Sequence, residues 1–285
     1  MTTTRTIVVV GAGVMGHGIA QVAAEAGYAT LIVDVERARA EAGRAAIAAA
    51  YDSLVAKGKR TREACDAHLA RVAVETDLAT ACRGAELVIE AVPEDLALKT
   101  RIFATVSASA PADCVLASNT SSLSLTEIAA ATPCPDRVVG LHFFNPPPVM
   151  ALLEVVSGER TSLATLDRAR AYGAAFGKEL VFVRDSPGFA SSRLGIALGL
   201  EAIRMLEAGV ATAPDIDRAM ELGYRHPMGP LKLTDLVGLD TRLKIAQYLY
   251  AELGTDTFRP PQLLVRMVRA GKLGKKSGQG FYDWK

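Results

Sequence analysis

Net charge is what this chain has least of. Lys and Arg number 32 against 31 Asp and Glu, a formal charge of +1. That gives no electrostatic reason to expect nucleic acid or an acidic membrane as partner, so any anion site must be local. Cysteine is scarce: Cys65, Cys82, Cys114 and Cys134 form no C-x-x-C pair, and none stands beside a histidine at metal-ligand spacing. They read as reduced thiols of a cytoplasmic protein. The four histidines, His17, His68, His142 and His226, include no i, i+4 pair, so no metal site is expected. No run approaches the length of a membrane span, and "MTTTRTIVVVGAG" has too short an apolar run for a signal peptide before it enters glycines. Internal repeats and low-complexity linkers are missing as well.

What is present begins with "TIVVVGAGVMGHGIAQVAAEAGYATLIVDVE". Residues 6–10 read as a buried parallel strand, Gly11-x-Gly13-x-x-Gly16 turns it, 16–26 has helical apolar spacing with Gly27 as its stop, and a second strand, 29–33, ends in Asp34. Gly11 permits the tight turn, Gly13 lets backbone approach a pyrophosphate, and Gly16 lets helix and sheet pack closely. The helix N-terminus offers unpaired N–H groups to the anion. A glycine-rich turn alone is weak evidence, but this one follows a strand, opens a helix and precedes an acid by roughly 20 residues, as the dinucleotide fingerprint requires. Asp34 accepts from ribose hydroxyls and repels a 2′-phosphate, which favours NAD over NADP, with Arg37 close enough to weaken that preference slightly.

Strand and helix signals then alternate: helix 36–57, strand 85–92, helix 95–109, strand 114–119, helix 125–131, strand 137–144 and strand 178–185. After "DSPG" at 185–188 only helices follow, at 191–207, 214–222, 240–253 and 262–270. The fold expected is α/β: a Rossmann-type, doubly wound, mostly parallel sheet over 1–186, with a helical insertion near 36–70, then an all-helical C-terminal domain over 187–285. Ligands of such a sheet lie outside the carboxyl ends of its strands, which makes 90–94, 119–122 and 142–145 candidates by position. The basic stretch "KGKRTRE", with Lys57, Lys59, Arg60 and Arg62, is either solvated surface or a docking point for a substrate's phosphates.

Two polar groupings stand out. In "ASNTSSLSLTEIAAAT", Ser124 and Glu127 fit an S-x-x-E capping box, which leaves Ser121 and Ser122 unassigned by the helix start. In "LHFFNPPPVMALLE", His142, Asn145 and Glu154 interrupt an apolar run. A satisfied core histidine is the commoner fate of such a residue. Against it stand the strand-end position and Glu154, which returns after three prolines that limit backbone freedom. A buried glutamate needs a partner. A His–Glu pair beside a nicotinamide suits general acid–base work on a hydroxyl or carbonyl, with histidine taking the proton and glutamate fixing its tautomer.

The ordered set "GAGVMG", "ASNTSSL", "GLHFFNP", "LLEVV", "DSPGF", "HPMGP…DLVGLD" and "GKKSGQGFYDW" resembles the L-3-hydroxyacyl-CoA dehydrogenases, especially the short bacterial 3-hydroxybutyryl-CoA dehydrogenases, over essentially the whole chain. The resemblance implies NAD-dependent, reversible oxidation of a 3-hydroxyacyl-CoA to the 3-oxoacyl-CoA. It implies His142 as catalytic base, Glu154 as its orienting acid, and Ser121 as a hydrogen-bond partner of substrate and cofactor. It places Gly11, Gly13, Val14, Met15, Gly16, Asp34, Glu94, Lys99, Asn145 and Lys276 against the cofactor, and Lys57 where a coenzyme A contact falls.

Two positions depart from the family pattern. Ser192 stands where the family usually has the asparagine of N-R-L; its hydroxyl can still donate to the substrate oxygen but lacks the amide's second group. Ala151 stands where many members carry lysine. Dehydrogenases of small hydroxyacids resembling 6-phosphogluconate or 3-hydroxyisobutyrate dehydrogenase carry a catalytic lysine that "GFASSRLGIALGLEAIRMLE" lacks, and gulonate dehydrogenase and its lens-crystallin relative resemble "HPxNP" rather than "HFFNP". A non-enzymatic NAD(H)-binding relative is the rival of another kind. The resemblance also implies a homodimer through the helical domain.

Overall fold

The structure, a computed structural model, describes residues 6–284; the "MTTTR" start of the segment weighed as a leader, and Lys285, lie outside the described residues. The chain divides into two compact units, Met1–Asp185 and Ser186–Lys285. Strands of the first are β1 (Thr6–Val10), β2 (Ala29–Val33), β3 (Val72–Glu75), β4 (Ala85–Glu90), β5 (Val115–Ser118), β6 (Val138–Phe143), β7 (Leu152–Ser157) and β8 (Glu179–Arg184). Among the described residues they form one sheet in the order β3-β2-β1-β4-β5-β6-β7-β8. Every neighbouring pair is parallel except β6 and β7. Flanking helices are α1 (Val14–Glu25), α2 (Arg37–Ala56), α3 (Arg62–Leu69), α4 (Leu78–Cys82), α5 (Leu96–Ser109), α6 (Leu125–Ala130) and α7 (Leu163–Ala175).

The central strands are buried along nearly their whole length, which is why "TIVVV", "VLAS" and "VVGLHF" read as continuous apolar runs rather than alternating ones. Register then decides what meets at the carboxyl edge. Val33 pairs with Val10, Val10 with Glu90, Glu90 with Ser118, and Ser118 with Gly140. Asp34, Gly11, the segment 91–94, the segment 119–122 and the last residues of β6 therefore leave the sheet on one side. The order reverses between β1 and β4, the switch point where such sheets bind ligands.

The second unit holds α8 (Ser191–Glu207), α9 (Ala213–Gly223), α10 (Pro230–Val237), α11 (Leu239–Leu253) and α12 (Gln262–Arg269). They pack around Ile196, Leu200, Ile203, Leu231, Leu249 and Leu264. Two acids lie inside this apolar setting, and each is surrounded by donors. Asp217 of α9 accepts from Leu231 N (2.7 Å) and Lys232 N (2.9 Å) in the first turn of α10, and from the Tyr282 hydroxyl (2.7 Å). Asp235, fully buried in α10, accepts from Phe281 N (2.9 Å), Tyr282 N (2.9 Å) and Trp284 Nε1 (2.8 Å). The motif "GKKSGQGFYDW" thus ends as a latch closed on a carboxylate. Among the described residues no helix is long and apolar enough to cross a membrane.

Several elements escaped the sequence patterns: β3, β7, α4, α7 and α10. Four residues of β3 are too few to show a period, and the prolines before β7 made 144–154 read as a turn returning an acid. Boundaries moved where side chains compete with the ladder. The strand expected at 85–92 stops at Glu90, because Val92 N donates to the Glu90 side chain at 2.7 Å. The helix expected from 95 starts at Leu96, because Asp95 caps it through Leu98 N at 2.9 Å.

The latch carries a testable consequence. Asp235→Ala takes the acceptor from three partly buried donors, and leaving such a donor unsatisfied costs about 1–3 kcal/mol. Urea unfolding followed by circular dichroism is expected to show a destabilisation of about 3 kcal/mol or more, with the segment after residue 274 becoming open to proteolysis.

Candidate active site

At the end of β1 the chain turns through Gly11, whose φ of 102° only glycine adopts without strain, and a Cβ there would lie 2.8 Å from the Ala91 carbonyl oxygen. A Cβ on Gly16 would overlap the Gly11 carbonyl, so helix and turn sit closer than any side chain allows. Gly13 is different: it is exposed, and a Cβ there meets nothing within 4 Å. No side chain caps α1, so its first-turn N–H groups beside Gly13, in Val14 and Met15, are left to an outside acceptor. Asp34 closes the arrangement. Its Oδ2 accepts from Ala12 N at 3.1 Å and its Oδ1 from Glu36 N at 3.4 Å, so the acid expected to face a ribose also steadies the turn. A dinucleotide's pyrophosphate and adenosine ribose fit these groups.

His142 and Glu154 meet. His142 Nδ1 lies 2.7 Å from Glu154 Oε2, and the side chains are 7% and 1% exposed. The cause is not the proline run alone: the two residues are direct cross-strand partners in the antiparallel pairing of β6 with β7. An ionised carboxylate only accepts, so with Glu154 ionised Nδ1 is the donor of this contact. The Phe144 ring lies 4.5 Å from the imidazole, centroid to centroid. Asn145 is exposed just beyond, joined to Pro146 by a cis peptide bond.

The loop after β5 is built around a second acid. Glu94 Oε1 accepts from the Thr120 hydroxyl (2.6 Å), Ser121 N (3.0 Å), Ser122 N (3.1 Å), the Ser122 hydroxyl (3.2 Å) and the Ser121 hydroxyl (3.4 Å). Ser121 and Ser122, which the capping box seemed to leave unassigned, are therefore engaged, while Ser124 does accept from Glu127 N at 3.2 Å. Burial alone would raise the Glu94 carboxyl, but the Lys99 ammonium, the Thr120 hydroxyl and the Ser121 N–H together hold it below the usual carboxylate range. Asn119 ties this loop to the histidine strand, its Oδ1 accepting from Phe143 N at 2.8 Å.

Lys99, expected to line the cofactor, is 1% exposed and points inward. Its Nζ meets Glu90 Oε1 at 2.7 Å, Glu94 Oε2 at 3.3 Å and the Val92 carbonyl at 3.3 Å. Glu90 in turn accepts from the Ser118 hydroxyl at 2.7 Å. Sequence reasoning placed Glu90 only by position. The signal was there: an acid inside the apolar run "AELVIEAV" needs a buried partner, and Lys99 stands on the next helix.

The remaining expected residues are reported where they stand. Lys57 is exposed at the C-cap of α2. Of its basic neighbours, Arg60 pairs with Glu25 (2.9 Å) and Arg62 with Asp52 (2.7 Å), so half of that cluster is neutralised locally. Ser192 lies in the first turn of α8, a helix with no side-chain cap. Lys276, in the helical unit, forms an ion pair with Asp240 at 2.5 Å.

Comparison with known proteins agrees along the chain. The family model for the 3-hydroxyacyl-CoA dehydrogenase NAD binding domain matches residues 6–186, and that for the 3-hydroxyacyl-CoA dehydrogenase C-terminal domain matches 188–284. A probable 3-hydroxybutyryl-CoA dehydrogenase of Bacillus subtilis is 46% identical over 280 residues, 98% of this chain and 97% of the relative. The crystal structure of FadB2 from Mycobacterium tuberculosis superposes with a TM-score of 0.95 at 45% identity, covering 100% of both chains. That of (S)-3-hydroxybutyryl-CoA dehydrogenase PaaH1 from Ralstonia eutropha gives 0.94 at 40% identity over 99% of both. The chain belongs to the 3-hydroxyacyl-CoA dehydrogenase family.

Proposed function

We propose that this protein interconverts (S)-3-hydroxyacyl-CoA and 3-oxoacyl-CoA with NAD, with 3-hydroxybutyryl-CoA as a representative substrate. The observation that carries the reading is the His142 Nδ1 to Glu154 Oε2 contact of 2.7 Å at the carboxyl edge of a dinucleotide-binding sheet. In the oxidative direction His142 Nε2 takes the proton of the C3 hydroxyl, and Glu154 keeps the imidazole in the tautomer that can accept it. Ser121, its N–H and hydroxyl held on Glu94, is the proposed hydrogen-bond partner of substrate and cofactor. Bound NAD supplies the acceptor for the C3 hydride, and the protein contributes position and a base. Gly11, Gly13, Val14, Met15 and Gly16 receive the pyrophosphate and Asp34 the ribose, with Glu94, Asn145 and Lys276 as further cofactor contacts.

The names of the relatives quoted above support an acyl-CoA rather than a free hydroxyacid. For the coenzyme A portion, Lys57 is the proposed contact: it is exposed beside Lys59, and among the described residues neither has a carboxylate partner. Ser192 is assigned the donor role of the family asparagine. A homodimer through the helical unit is supported by large apolar side chains left exposed there, among them Leu194, Leu222, Leu236 and Val237. A cytoplasmic location is supported by Cys65, Cys82, Cys114 and Cys134 all being free thiols.

Two measurements test this reading. His142→Ala is expected to lower kcat for acetoacetyl-CoA reduction, followed by NADH absorbance, by about 100- to 10,000-fold with NADH affinity little changed; near-normal turnover would refute the assignment. Replacing Asp34 with serine removes the charge that repels a 2′-phosphate. The preference for NADH over NADPH, taken as a ratio of kcat/KM values, is expected to fall by about tenfold or more.

A further inference from the structure

We infer that Lys99 is a positioning residue: its buried ammonium, anchored by Glu90, sets the Glu94 carboxylate that holds the Ser121 loop in place. The inference rests on the assignment of Ser121 as a substrate contact and deepens it.

An ammonium has three protons to donate. Lys99 Nζ donates to Glu90 Oε1 at 2.7 Å and to the Val92 carbonyl at 3.3 Å and forms an ion pair with Glu94 Oε2 at 3.3 Å, in a setting where both Lys99 and Glu90 are 1% exposed. From this point the loop is gripped along two routes. One runs through Glu94 Oε1 to the N–H and hydroxyl of Ser121 and Ser122. The other runs through Glu90 Oε2 to the Ser118 hydroxyl, which accepts from Thr120 N at 3.2 Å. Both routes end in the segment 118–122, and both begin at one nitrogen.

Charge explains why that nitrogen is needed. Two carboxylates face one ammonium. Without it they would be like charges close together, a situation that drives one of them towards protonation. The half-exposed Glu94 is the one that yields, and a protonated Glu94 accepts fewer hydrogen bonds. The serine hydroxyl would then lose its fixed direction while the sheet beneath stayed whole. A misplacement of about 1 Å at a reacting group is enough to cost on the order of a hundredfold in rate.

The test uses K99M and the isosteric neutral pair E90Q/K99M, with three readouts: urea stability, kcat against pH with acetoacetyl-CoA and NADH, and amide hydrogen exchange at Ser121 and Ser122. K99M is expected to be less stable, with kcat down about ten- to a hundredfold and its acid limb moved to higher pH. Removing both charges of a buried pair restores stability, so E90Q/K99M is expected to unfold near the wild-type urea concentration. With residue 90 neutral the like-charge repulsion is gone, but the 3.3 Å contact that aims Glu94 Oε2 is still missing, so kcat should stay below wild type and exchange at Ser121 and Ser122 should be faster by about tenfold or more. A double variant with wild-type kcat and wild-type exchange overturns the inference, since that is the behaviour of an ion pair that only stabilises. Should the wild-type chain prove inert toward acetoacetyl-CoA, the proposed function falls, and the exchange of the two serine amides still decides for or against Lys99.

Discussion

One antiparallel pairing in an otherwise parallel sheet organises the chemistry of this protein. Parallel neighbours are joined by long crossovers, whereas β7 returns directly beside β6 and brings a residue of the second strand opposite a residue of the first. That geometry sets Glu154 against His142. The ladder hydrogen bonds fix the pair from the backbone, and the buried surroundings keep water from competing for the carboxylate. The parallel part of the sheet does complementary work by aligning five strand ends, so that glycine turn, Asp34, serine loop and histidine emerge on one edge.

A second theme is how the fold treats acids away from water. Glu90, Glu154, Asp217 and Asp235 are each at most 3% exposed. Each is matched: Glu90 with an ammonium, a hydroxyl and an amide, Glu154 with an imidazole, and the two aspartates with backbone amides plus an aromatic hydroxyl or indole N–H. Buried carboxylates left unmatched would be costly. Matched, they become rigid fixing points, and in this chain they lie where precision has value: under the serine loop, behind the histidine and beneath the C-terminal segment.

Much of this was legible in the sequence, and what was hidden has a physical reason. The run "TIVVVGAGVMG" declares its strand, turn and helix because each glycine answers a separate steric demand, and the pairing of His142 with Glu154 followed from the rule that a buried acid needs a partner. The reason for that pairing was less visible. Three prolines suggested a rigid turn, while the register of β6 with β7 does the placing, and register is a property of two strands that no local pattern encodes. The partners of Lys99 were hidden for a similar cause: an exposed and a buried lysine look alike in a helix until the acid beneath it is known. The loop serines looked spare because Glu94, which collects them, lies more than twenty residues earlier.

The latch of the helical unit has an optical consequence. Trp284 is the chain's single tryptophan, with its indole N–H on the buried Asp235 carboxylate and the Lys275 ammonium 5.7 Å from its ring. Its emission therefore reports on the seating of the C-terminal segment against Asp235. A shift in that fluorescence marks release of that segment.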